Sequence, residues 1–146
     1  MAGLADNVPV ATAVVVPFPA VDEVVAARGA HEWVIRARKV ITDQDPYLAG
    51  HFPNATIYPG VFVIESLRQA VSEGLGAVCD IMSVRSARFL MPLVSGDTLV
   101  LNVVAASLGD GMLAVTAEAT IGHGGMLAAR LNVLMSVLGA ADVAAA

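Results

Sequence analysis

Residues 32–41 alternate strictly. Trp33, Ile35, Ala37 and Lys39 interleave with Val34, Arg36, Arg38 and Val40. A period of two sends successive side chains to opposite faces, so the run reads as a strand with one wetter face. The Val-rich run 21–27 precedes it, and Arg28-Gly29-Ala30 divides the two as a turn, so a hairpin is expected. The period then changes. Over 60–77, Val61, Ile64, Leu67, Val71 and Leu75 fall at helical spacing, and Phe62, Val63 and Ala70 widen the stripe. Apolar residues surround most of the start of this helix, which predicts burial on several sides. Gly74 and Gly76 suit its C-terminal end. Four more strand-like runs follow at 83–91, 98–107, 112–121 and 126–138. They are divided by Ser95-Gly96-Asp97, Gly109-Asp110-Gly111 and Gly122-His123-Gly124-Gly125, all turn chemistry.

Between hairpin and helix, residues 42–59 carry Pro46, Gly50, Pro53 and Pro59 and read as one long irregular loop. Loops of that length inside a small domain are usually functional. The order of elements is hairpin, loop, one buried helix, then an antiparallel meander. It predicts an α+β domain with the helix packed on a curved sheet.

Composition narrows this picture. A chain of 146 residues is expected to form one domain, with an ordered core over about 14–138 and frayed ends at 1–12 and 140–146. It is 57% hydrophobic and only 14% charged, with a mean hydropathy of +0.74. A small domain this apolar is expected to hide surface in a subunit contact or an internal channel. No stretch approaches the roughly 20 uninterrupted apolar residues of a membrane helix. The apolar run 8–20 contains Pro9, Pro17 and Pro19 with no preceding positive charge, so it reads poorly as a signal peptide. The net charge of −5 disfavours nucleic acid and anionic membrane as partners. The single cysteine, Cys79, excludes an intrachain disulfide, and a reducing cytoplasm is the expectation. His31, His51 and His123 show no metal-ligand spacing.

The candidate chemistry is concentrated in 50–69. Glu65 sits in an apolar helix. It either faces water or pairs with Arg68 three positions on, or it lines an apolar tunnel where desolvation would raise its pKa and ready it as an acid. His51 sits in a loop stiffened by Pro53, either as a structural residue or as a rigidly presented general base. Pro59-Gly60 opens the helix, whose first amides can stabilise an enolate oxygen, although ordinary helix initiation would use the same dipeptide. Cys79 reads as a small core residue. The glycine-rich stretch 122–125 reads as a hairpin turn rather than a phosphate loop. Arg36, Arg38, Arg85 and Arg88 form either a solvated face or a docking patch for an acidic partner.

Gly50-His51-Phe52-Pro53, Pro59-Gly60-Val61 and Ile64-Glu65-Ser66-Leu67-Arg68-Gln69 together resemble the hotdog-fold β-hydroxyacyl-acyl carrier protein dehydratases of fatty acid and polyketide synthesis. Pro17-Phe18, Ala87-Arg88-Phe89, Pro92 and Gly96-Asp97 extend the resemblance. It implies a curved antiparallel sheet wrapped around one long central helix, with subunits paired edge to edge. It also implies roles. His51 would remove the α-proton, Glu65 of the partner subunit would protonate the departing β-hydroxyl, and the Gly60 amide would polarise the thioester carbonyl. Gln69 would orient Glu65. Phe52, Val61, Phe62, Phe89 and Leu90 would contact the substrate. No cofactor and no metal are implied. The partner would be an acyl carrier protein bearing a phosphopantetheine-linked acyl chain, acting on a homodimer or on a pair with a related dehydratase-like chain. Asn54, Thr56, Arg68 and Met91 depart from the family's pattern, and an Arg68 facing the tunnel would hold Glu65 ionised. The alternatives are an acyl-thioester hydrolase on the same scaffold and a subunit with little or no activity alone.

Overall fold

The computed structural model describes residues 19–44 and 57–138. Strand β1 (Glu23–Arg28) pairs antiparallel with β2 (Glu32–Val40). The two-residue strand β3 (Ile57–Tyr58) leads into helix α1 (Gly60–Leu75). Strand β4 (Cys79–Phe89), short β5 (Leu93–Val94), β6 (Thr98–Gly109), β7 (Met112–Ile121) and β8 (Leu127–Val137) follow. Six strands form one antiparallel sheet in the order β1-β2-β6-β7-β8-β4, while β3 and β5 pair separately.

The central strands of the sheet keep a period of two over most of their length. Ile35, Leu101, Val103, Val115, Leu131, Val133 and Met135 are buried on its inner face, whereas Arg36, Asn102, Glu118, Arg130 and Asn132 line the outer one. Ala37, Ala105, Ala117, Ala119 and Ala129 are also buried. These small residues alternate with larger ones across neighbouring strands, which leaves room for a helix to lie close. Helix α1 fills that room with Val63, Leu67, Ala70 and Val71. Val63, Leu67 and Val71 each contribute roughly 1.5–3 kcal/mol when fully buried.

Gly74 lies inside the helix rather than at its cap. A Cβ there would come within 2.9 Å of the Ile35 Cδ1 atom, so the residue permits close packing on β1 and β2. The cap is Gly76 alone, in the left-handed conformation at φ 70°, with the Gly76 and Ala77 amides donating back to Glu73 and Ser72.

The hairpin is present, with its turn at 29–31. The runs at 98–107, 112–121 and 126–138 are strands to within two residues. The run expected at 83–91 begins earlier, at Cys79. The reason lies in the helix: Ser72 Oγ accepts the Cys79 N–H at 3.0 Å, and Arg68 Nη1 donates to the Cys79 carbonyl at 3.3 Å. These bonds start the strand where the hydropathy pattern is weak. Bulges between Ile81 and Ser83 and between Val84 and Ser86 further break its alternation. The last residues of the expected loop, Ile57 and Tyr58, are strand, because Leu93 and Val94 offer them a partner.

Candidate active site

Helix α1 presents two chemically distinct sides. On one side Glu65, Arg68, Gln69 and Ser72 cluster. Arg68 grips the Glu65 carboxylate at two points, Nε donating to Oε1 at 2.8 Å and Nη2 to Oε2 at 2.7 Å. Gln69 Nε2 donates to Oε2 at 2.7 Å. The Gln69 carbonyl oxygen accepts the Ala20 N–H at 2.8 Å, which ties the segment before β1 to this cluster. The Glu65 side chain keeps 25% of its accessible surface. The Arg68 guanidinium holds its carboxyl below the ordinary value of 4.5 against the opposing effect of partial burial, with Gln69 helping. Of the two alternatives for Glu65, the structure shows the pairing with Arg68, and this two-point pairing outweighs the burial that would have raised the pKa. The Cys79 thiol beneath is buried and its pKa is pushed up by desolvation, as suits an inert core residue.

On the other side, the helix N-terminus opens into a cleft of about 410 Å³. Tyr58, Pro59, Gly60, Val63, Phe89, Met91, Leu93, Ala128 and Ala129 line it. Pro59 is the N-cap and offers no side-chain cap. Its carbonyl receives the Phe62 and Val63 amides. The Gly60 and Val61 amides meet no acceptor among the described residues. The ring of Phe89 lies over Gly60 so closely that a Cβ would come within 2.9 Å of it. Glycine is the residue this approach requires.

Five residues of α-helix turn through about 140° beyond a full circle. The Glu65 side chain therefore leaves α1 on a different side from the position of Gly60, and among the described residues it does not line the cleft at the helix N-terminus. Phe62 turns away from the cleft, edge-to-face with Tyr58 at 5.5 Å between centroids. Val61 and Leu90 are exposed, and neither lines the cleft. His51 and Phe52 lie outside the described residues, as do the expected frayed ends. Ala128 and Ala129 were not singled out by sequence reasoning, and Met91 stood out only as a departure from the family's pattern. Only the register of β4 against β8 brings them to the cleft, so a motif search has no signal for them. The Tyr58 and Ser66 hydroxyls share a buried 2.8 Å hydrogen bond that joins β3 to α1. The spacing of eight residues across a proline gave no hint of it.

A second cleft, of about 600 Å³, crosses the outer face of the sheet, lined in part by Arg36, Arg88, Arg130, Glu118, Asn102 and Asn132. Arg36 donates to Asn102 at 3.2 Å, and Arg130 pairs with Glu118 at 3.3 Å. Arg38 pairs with Glu23 across the hairpin. Arg88 faces Arg130 in register, while Arg85 is the extra residue of a bulge. No helix described here is long and apolar enough to cross a membrane.

Comparison with known proteins shows the family. The ApeI-like family, described as ApeI dehydratase, matches residues 27–120. The chain belongs to the ApeI-like dehydratase family. It is 34% identical over 115 residues to the 3-hydroxyacyl-[acyl-carrier-protein] dehydratase FabZ of Tolumonas auensis, covering 72% of this chain and 76% of that one. It is 39% identical over 95 residues to the FabZ of a Wolbachia from Brugia malayi, covering 58% of this chain and 64% of that one. Among solved structures it resembles the dehydratase heterocomplex ApeI:P from Xenorhabdus doucetiae. That match has a TM-score of 0.57 and 19% identity, and covers 79% of this chain and 99% of that one. As an ApeI-like dehydratase, the chain has the hotdog fold its motifs implied: a curved antiparallel sheet around one helix.

Proposed function

We propose that this protein removes water from a 3-hydroxyacyl thioester carried on acyl carrier protein, giving the trans-2-enoyl thioester. His51 of one subunit takes the α-proton. Glu65 of the partner subunit protonates the departing hydroxyl, and the Gly60 amide stabilises the enolate oxygen. The observation that carries this reading is the division of α1 into two sides. A helix N-terminus opens onto an apolar cleft, while the carboxylate faces away from it, as a site shared between two subunits requires. The long edge strand β4 supports the same reading. Among the described residues it is paired only to β8, and Met82, Val84 and Phe89 are exposed along it. A second copy, or a related dehydratase-like chain, would extend the sheet there. The phosphopantetheine arm would enter past Phe89, and Arg85 and Arg88 beside it would meet the acidic carrier.

The test is complementation. His51→Ala and Glu65→Gln should each abolish dehydration of a 3-hydroxyacyl thioester, and mixing the two inactive proteins should restore part of it. Full activity in either single variant would end the assignment. One observation favours a second reading, an acyl-thioester hydrolase. Glu65 is held as a carboxylate, the form a hydrolase uses as base or nucleophile. Release of free thiol in the same assay, without formation of the enoyl product, would select it.

A further inference from the structure

The Glu65 carboxylate receives donors on both oxygens, two from Arg68 and one from Gln69. A protonated carboxyl needs one of those oxygens for its own hydrogen, and an O–H pointed at an N–H donor is repelled. Gln69 cannot relieve this by flipping its amide, because its carbonyl oxygen already accepts the Ala20 N–H. Relief must come from Arg68. Its Nη1 already reaches the Cys79 carbonyl at the head of β4. The next residue, Asp80, is exposed, and its carboxylate favours the charged guanidinium through space. The charged and titratable groups acting on Arg68 are therefore Glu65 on its own helix, and Cys79 and Asp80 on β4. Cys79 is buried and desolvation raises its thiol pKa, so among the described residues Asp80 is the competing anion.

We propose that Arg68 is a positioning residue that locks Glu65 as a hydrogen-bond acceptor and must swing toward Asp80 before Glu65 can donate a proton. The proposal rests on the reading of Glu65 as the acid of dehydration, yet the lock itself is measurable without activity. The contact also links the acid to the head of the edge strand, so whatever engages β4 biases the position of Arg68.

The experiment titrates the side-chain carboxyl carbon of Glu65 by NMR, assigned by its loss in Glu65→Gln, in the native protein and in Arg68→Leu, Arg68→Lys and Asp80→Asn. The midpoint is expected below the ordinary carboxylate range in the native protein. It should rise in Arg68→Leu and rise less in Arg68→Lys, which keeps the charge without the two-point grip. Asp80→Asn should leave the midpoint at or below the native value. In the dehydration assay, Arg68→Leu should move the alkaline limb of the pH–kcat profile upward, and Asp80→Asn should lower kcat with KM unchanged. If Arg68→Leu does not fold, by circular dichroism, Arg68→Lys decides alone. An unmoved Glu65 midpoint in the folded Arg68 variants overturns the lock, whatever the activity. A moved midpoint with no dehydration in any variant upholds the lock and removes the assignment of Glu65 as acid.

Discussion

At the scale of single residues, the Glu65–Arg68 pair has a consequence for stability as well as for chemistry. A carboxyl whose folded pKa lies below its unfolded value binds protons more readily when unfolded. The pair's stabilisation is therefore fully present above about pH 4.5 and is lost as the pH falls through the lower folded value. Arg68→Leu should flatten the acid limb of the stability–pH curve and cost about 1 kcal/mol near neutrality, a partly exposed pair being worth no more. Urea unfolding at pH 7 and at pH 4 checks it, and an unchanged difference between the two would refute it. Glu65→Gln keeps the shape of the side chain and removes its proton chemistry. Dehydration should fall by about 10²–10⁴-fold while the fold, read by circular dichroism, persists.

At the scale of elements, legibility followed periodicity. Strands β2, β6, β7 and β8 alternate because each has one wet and one dry face, and helix α1 has an apolar stripe, so all were readable. Strand β4 was misplaced at its start, and β3 and β5 were missed. Their cause is a partner distant in sequence: Ser72 and Arg68 for Cys79, Leu93 for Tyr58. Of the motif residues, His51 and Phe52 lie outside the described residues, Gly60 lines the cleft, and Arg68 as the partner of Glu65 was readable only as one alternative, from its i,i+3 spacing. That Glu65 stays out of the Gly60 cleft depends on strands distant in sequence that wall the cleft, and the direction of the Glu65 pKa depends on which of two opposing effects is larger, so neither was legible. Gly74 illustrates the same point. Sequence suggests a helix end, but the structure has Ile35 against it. Gly74→Ala should gain helix propensity of about 1 kcal/mol yet lose more through overpacking, typically 1–3 kcal/mol. The expected outcome is a lower Tm, and a raised Tm would mean that Ile35 moves aside freely.

At the scale of the whole molecule, a net charge of −5 forbids long-range attraction to an acidic carrier. Any attraction must be local, and the positive surface is distributed unequally. Arg38 is paired with Glu23 and Arg130 with Glu118. Arg36 is engaged with Asn102. Arg85 and Arg88 lie on the exposed edge strand ahead of Phe89, Arg85 at a bulge and Arg88 at the rim of the outer-face cleft that Arg36 and Arg130 also line. A charge steers an incoming partner only within about 8 Å at physiological salt, so only arginines close to the point of docking act. Two changes on this strand should then separate. Val84→Lys places a charge on the strand edge and should reduce sedimentation to a 15 kDa species, with loss of activity on every substrate. Arg85→Glu with Arg88→Glu should leave assembly intact, slow turnover of a carrier-bound 3-hydroxyacyl group by about tenfold or more, and spare a short thioester that has no carrier. Equal loss on both substrates would mean that the two arginines support the cleft itself, and no loss on either would move the docking surface to the outer-face cleft around Arg36 and Arg130.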